Sequence, residues 1–386
     1  MHAPSATIVT VPRSGIRRVF DEASAYPDCI RLEVGEPSFA TPEHIKQAAR
    51  QALADDFTKY TPNAGIAELR EALVHKLATT NHITANADDI IVTNGAVASV
   101  FTTLGALVNP GDEVLIADPS WPNYVQMIRL LGATARYYPL HLDEAMVPTA
   151  ADIEAAITER TKVLIINSPG NPTGAIIDAE RMREILDVAR RHDLWVISDE
   201  VYDEIWFESP PVSAQPLDPD GRVISVFSFS KTYSMTGWRV GYLVGTSDIV
   251  SHILRAQEPT NSCVNSIAQR AAIAAVTGDQ QCVAEMRAEY RANALAATAV
   301  LDRHQIAYSR PTGAFYLMVD ISTAGLTDVE FCSRLIRDHR VAVVPGSAFG
   351  ERSGNVVRVS LASATHELTT GLERLATAVG EWSAAS

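Results

Sequence analysis

The chain has 386 residues, 47% of them hydrophobic, and its 46 acidic residues against 32 basic ones leave a formal charge of -14. That length holds a large core and more than one lobe, and the acidic excess argues against a nucleic-acid surface. Cys29, Cys263, Cys282 and Cys332 lie far apart with no CxxC pair, so neither a disulfide framework nor a zinc site is indicated and no metal is expected.

No apolar run is long enough to span a membrane, and the N-terminus lacks the apolar core and small-residue cleavage site of a secretory leader. Arg13, Arg17 and Arg18 are followed at once by Asp21 and Glu22, which does not suit a transit peptide. A cytoplasmic protein is expected, with residues 1–44 forming an N-terminal arm. The first helix signal is Thr41-Pro42-Glu43: a hydroxyl to cap, a proline suited to the first turn and an acid at the positive end of the dipole. Ile45, Ala48, Ala49, Ala52 and Leu53 then share a face. A second helix over 66–77 stripes Ile66, Leu69, Leu73 and Leu77 toward a core.

From 89 to 245 short β-branched runs alternate with turns and amphipathic helices, the rhythm of an α/β sheet with helical crossovers. The strand candidates are 90–93, 113–117, 135–140, 163–167, 195–198, 223–227 and 240–244. Most are apolar on consecutive residues, as in strands buried on both faces. After about 285 a long helix over 284–303 is followed by strands near 314–319, 341–344 and 356–359, which reads as a smaller α/β lobe. The division expected is an arm at 1–44, a large domain at 45–285 and a small domain at 286–386.

Four segments carry chemistry. In Val92-Thr93-Asn94-Gly95-Ala96-Val97-Ala98-Ser99 a strand enters a helix through small residues, leaving backbone amides free for a phosphate. Asn167-Ser168-Pro169-Gly170-Asn171-Pro172-Thr173-Gly174 fixes an irregular backbone after a strand and holds Asn171 rigidly. Asp199 and Tyr202, in Asp199-Glu200-Val201-Tyr202, sit at a strand end, where ligands of open α/β sheets bind. In Ser228-Phe229-Ser230-Lys231, hydroxyls precede an amine and Arg239 follows eight residues on, so that a phosphate can be held near a Schiff-base lysine. Singly, each has a plainer reading: a helix start, a turn, a capping aspartate, a solvated loop lysine.

Together and in this order the motifs resemble those of class I/II aminotransferases of the aspartate aminotransferase fold family, the fold-type I enzymes that use pyridoxal 5'-phosphate (PLP). The resemblance runs from Gly35-Glu36-Pro37 to Arg358. It implies a large domain with a mixed, mostly parallel seven-stranded sheet flanked by helices, plus a smaller α/β domain. It implies that Lys231 holds the cofactor covalently, that Asp199 binds its ring nitrogen, and that Tyr202 and Asn171 bind its phenolic oxygen. Trp121 would stack on the ring, while Ser228, Arg239 and the amides of Ala96 and Val97 would take the phosphate, with Ser230 nearby. Gly35 and Arg358 would meet the substrate α-carboxylate, and Tyr60 would reach the phosphate of a neighbouring subunit, implying a homodimer with shared sites.

The implied reaction moves an amino group from an L-amino acid to a 2-oxo acid in two ping-pong half-reactions. A carbon–sulfur β-lyase on the same scaffold is the alternative. No G-x-G-x-x-G follows any strand to support a dehydrogenase, and a transcription regulator would require an added DNA-binding module. In an aspartate-using branch of the family a lysine occupies the place of Val97. Its absence here, with Ile16 adding apolar surface and Arg17 or Arg18 the nearest substitute cations, points to a neutral or aromatic amino acid as one substrate.

Overall fold

A computed structural model describes residues 3–12 and 14–383, so Arg13 lies outside the described residues. Among the described residues twelve strands appear, in chain order β1 (Ile30–Arg31), β2 (Ile90–Thr93), β3 (Glu113–Asp118), β4 (Thr134–Pro139), β5 (Thr161–Asn167) and β6 (Trp195–Asp199). They continue with β7 (Val223–Ser228), β8 (Gly241–Val244), β9 (Tyr316–Asp320), β10 (Val341–Ala342), β11 (Val344–Pro345) and β12 (Val356–Ser360).

Seven strands form one sheet in the order β2-β8-β7-β6-β5-β3-β4. β8 runs opposite to the other six strands of this sheet. Each strand expected between 90 and 244 is present, and β2, β7 and β8 are buried along their whole length because helices cover both faces. The edge strand β4 is the exception, with half its residues exposed. Parallel pairing sets Asn167 of β5 beside Asp199 of β6, and Asp199 beside Val226 of β7. The carboxyl ends of three central strands thus open onto one crevice.

The expected strand near 341–344 is two strands. β10 pairs with β1 and β11 with β12, so the chain changes partners at Val343. The one near 314–319 begins only at Tyr316, because Ala314 adopts φ 54° in a turn. β9 and β12 are antiparallel, and β12 lies between β9 and β11. Leu32, directly after β1, is buried in the same apolar cluster as Phe315 and Val357, tying the N-terminal segment to the C-terminal elements.

The helix starting at Glu43 forms over Glu43–Ala54, but Thr41 does not cap it. Thr41 Oγ1 instead donates to the Ser234 carbonyl at 2.6 Å and accepts from Trp238 Nε1 at 3.0 Å, across the crevice. Ile45, Ala49 and Ala52 are buried as the pattern requires, whereas Leu53 is 54% exposed. The second helix spans Ala67–Thr80 with Leu69, Leu73 and Leu77 fully buried. The long helix begins three residues early, at Gln281, and ends at Arg303.

Candidate active site

All the residues singled out as cofactor or substrate contacts except Tyr60 line one cavity of about 370 Å³, and Ile16 joins them. Tyr60 is 95% exposed and outside it. Arg17 and Arg18 line the neighbouring cleft beside residues 347–351, where Arg17 pairs with Asp21 at 3.2 Å. Neither stands as a cation in the cavity itself.

At the base of the cavity Asp199 ends β6, and its Oδ2 accepts from the Tyr124 hydroxyl at 2.5 Å. Burial pushes the Asp199 carboxyl up to about 6, opposed by the Tyr124 bond and the Val201 amide. A cationic ring nitrogen placed against this carboxylate would supply the missing counter-charge. Tyr124 was not found from the sequence. Its position three residues after Trp121, at the start of the helix Asn123–Leu130, is the available signal, and the two rings meet edge to face at 5.3 Å.

Asn167, also not singled out as a contact, orders the adjoining loop. Its Nδ2 donates to the Asp199 carbonyl at 2.9 Å, and its Oδ1 accepts the Asn171 amide at 2.8 Å. Tyr202 Oη donates to Tyr316 Oη at 3.2 Å. Tyr316, at the start of β9, has no local sequence signal.

On one side wall the helix Ala96–Leu107 presents its free first-turn amides. Gly95 precedes it at φ 77°, and a Cβ there would stand 2.6 Å from Arg239 Nη2, so only glycine lets the guanidinium lie over the helix start. Arg239 is itself left-handed at φ 53° and donates from Nη1 to the Thr236 carbonyl at 2.9 Å. Ser228 Oγ accepts the Ser230 amide at 3.1 Å. Free amides, hydroxyls and a guanidinium fit a phosphate dianion.

Lys231 is half-buried, and its Nζ donates to the Gly35 carbonyl at 2.7 Å. Burial brings its amine down to about 8, with Glu36 opposing and Arg358 and Arg239 assisting. An amine so poised is a usable nucleophile and base near neutral pH.

Opposite, Arg358 of β12 is 1% exposed. Nη2 donates to the Glu33 carbonyl at 2.7 Å and Nη1 to Asn171 Oδ1 at 3.1 Å, while the Tyr316 and Phe349 rings lie 4.3 and 4.8 Å from its guanidinium carbon. Its Nε is buried with no partner among the described residues. A fixed fork with an unsatisfied donor suits a carboxylate. The donor set as a whole fits PLP and an amino acid: an amine for the aldehyde, a carboxylate for the ring nitrogen, an anion nest for the phosphate.

The family model "Aminotransferase class I and II" matches residues 27–375. An aspartate aminotransferase of Pyrococcus abyssi is 38% identical over 378 residues, 97% of each chain. The aromatic-amino-acid aminotransferase 2 of Thermococcus litoralis is 36% identical over the same proportion of each. The solved aspartate aminotransferase of Thermus thermophilus with maleate superposes with a TM-score of 0.94 at 34% identity, covering 98% of this chain and all of that one. The chain belongs to the class I and II aminotransferases. It is a fold-type I, PLP-dependent aminotransferase, and its relatives do not favour the lyase alternative.

Proposed function

We propose that Lys231, Asp199 and Arg358 carry the amino-group transfer, and that the amino acid taken in one half-reaction is neutral or aromatic. The observation that carries this reading is the meeting in one cavity of a lysine amine held near pKa 8, a buried carboxylate and a buried guanidinium with a free Nε. When bound, the cofactor supplies an aldehyde and an electron sink. Asp199, held by Tyr124, would keep the ring nitrogen protonated. Tyr202 and Asn171 would orient the ring, Trp121 would cover it, and Ser228, Arg239 and the amides of Ala96 and Val97 would hold the phosphate, with Ser230 beside them. Arg358 and the Gly35 backbone would hold the substrate carboxylate in the same cavity, where Lys231 Nζ reaches the Gly35 carbonyl. That amine would take the α-proton and deliver a proton to the cofactor carbon that carried the aldehyde, on the far side of the transferred nitrogen, within the shelter of the cavity.

The substrate side chain is expected against Ile16 and Val97, both on the cavity wall and neither charged. An acidic side chain would lose hydration there without a paired cation. Relatives named for aspartate and for aromatic amino acids both resemble this chain, and its apolar wall favours the second kind of substrate. Glutamate with 2-oxoglutarate is left open as the other pair.

Exposure of Tyr60 supports a homodimer in which it completes the partner's phosphate site. Residues 1–44 are read as an arm joining the small domain, 45–285 as the large domain and 286–386 as the small domain. Free thiols at all four cysteines and the acidic balance suit the cytoplasm. Half-reactions of the loaded protein with single amino acids, followed by cofactor absorbance and product identification, test the reading. A 2-oxo acid with retained amino group means transfer; pyruvate with free ammonia or sulfide means elimination.

A further inference from the structure

Behind the cavity lies an ion pair that the proposed chemistry does not use. Lys76, from the helix Ala67–Thr80, and Asp203, in the turn after β6, are both buried, and Lys76 Nζ donates to Asp203 Oδ2. Nζ also donates to Asn81 Oδ1 at 2.7 Å and stands 5.0 Å from the centre of the Phe227 ring on β7. Asn81 Nδ2 donates to Asp203 Oδ2 and to Ser213 Oγ, each at 3.2 Å. The other Asp203 oxygen accepts from Thr232 Oγ1 at 3.5 Å. Burial is the largest single influence and pulls the ammonium toward neutrality, but Asp203, Tyr242, Glu204 and Tyr233 together outweigh it and hold Lys76 charged.

Stability alone does not explain such a pair, since apolar side chains of similar volume serve as well or better in a core. Its position is more telling. Asp203 directly follows Tyr202, and Thr232 directly follows Lys231. One carboxylate therefore touches the residue next to the amine and belongs to the residue next to the phenol, two groups carried on different strand ends. Lys76 and Asn81 fix that carboxylate from a third element.

We propose that the Lys76–Asp203 pair is a positioning device that sets the Lys231 turn against the Tyr202 turn. The proposal rests on the reading of Lys231 and Tyr202 as cofactor contacts. Lys76 and Asp203 meet neither cofactor nor substrate; they act through Thr232 and the backbone of Tyr202. Removing the pair without leaving a lone charge should leave the core intact while loosening the geometry at the lysine.

The test is the loaded Lys76→Met/Asp203→Leu protein. Its thermal unfolding is expected to match wild type, and its KM for amino acid to hold. The kcat should fall at least about tenfold, and the pH midpoint of the lysine-bound cofactor's absorbance should move, because that midpoint depends on how the lysine and phenol face the cofactor. The double substitution removes no net charge but does remove the field of a dipole, and Thr232→Val, which keeps the ion pair, is free of that effect. Thr232→Val is the second variant. It cuts the link to the Lys231 turn while keeping the ion pair, and is expected to lower kcat and shift the midpoint in the same sense. Wild-type kcat and midpoint in either folded variant overturn the proposal. Borohydride labelling separates this from the site reading: label at Lys231 with unaltered variants sinks the positioning role alone, whereas label on another lysine of the wild-type protein sinks both.

Discussion

The hydroxyl of Tyr124 and the carboxylate of Asp199 meet at 2.5 Å in the floor of the cavity, both out of contact with bulk water. Desolvation first, then the neighbouring Asp199, drives the phenol far above its ordinary range, so Tyr124 remains a donor at every working pH. Asp199, raised to about 6 by burial, depends on that donor to stay ionised.

Tyr124→Phe should therefore raise the Asp199 pKa further and lower turnover most at the acid end of the range, with recovery as pH rises. Loss of a hydrogen bond to a charged group is worth about 1.5–3 kcal/mol. Profiles of kcat against pH for the two proteins check this; a loss uniform in pH would point to lost packing instead. Asp199→Asn should remove the charge at every pH and cost about 3 kcal/mol or more in the barrier. Near-normal turnover would mean the ring nitrogen is held in some other way.

Lys231→Ala is expected to abolish turnover and the borohydride-reducible adduct while the fold survives, and peptide mapping of the reduced wild type should find the label at Lys231.

The cofactor-stripped protein offers a separate check on the same lysine. Because its folded pKa of about 8 lies below the 10.5 of an ordinary lysine, the folded state binds fewer protons between those values, and stability rises with pH across that window. The burial cost is fully present below pH 8 and gone above 10.5. Stripped Lys231→Met should then be more stable than stripped wild type at pH 7 by about 2 kcal/mol, discounted for the partial exposure of the amine. Denaturant unfolding at pH 7 and 9.5 should show the gap narrowing at the higher value.

Tyr60→Ala and Lys231→Ala proteins, each inactive alone, should complement when mixed if the sites are shared. The hybrid dimer places both lesions in one site and leaves the other whole, so random exchange should restore about a quarter of wild-type activity. Subunit exchange demonstrated by mass, without recovery of turnover, would count against a shared site.

For substrate choice, kcat/KM should be higher for phenylalanine, methionine or alanine than for aspartate with a common acceptor. Val97→Lys should raise the value for aspartate by about tenfold or more by giving its distal carboxylate a charged donor. Aspartate leading in the unaltered protein would refute the argument from Val97 and mean that a cation elsewhere serves the side chain.

The seven strands of the large sheet, the helices at 43 and 67 and the four segments that line the cavity were legible in the chain, because apolar period and turn chemistry are properties of near neighbours. The family resemblance followed from the order of those segments. Other features had no local sign. Thr41 has the residue type of a helix cap, yet its hydroxyl bridges to Ser234 and Trp238 because the folded crevice brings better partners. Leu53 falls on an apolar stripe but faces out, and one apolar run at 341–344 serves two sheets. The bond between Tyr124 and Asp199 spans 75 residues of chain, that between Lys76 and Asp203 spans 127, and that between Arg358 and Asn171 spans 187. Residue type and spacing decided which groups stand at strand ends. Which of them touch was decided only when the sheet closed its register and the C-terminal strands packed across its open end, because a buried polar atom takes its partner from whatever the whole fold places within reach.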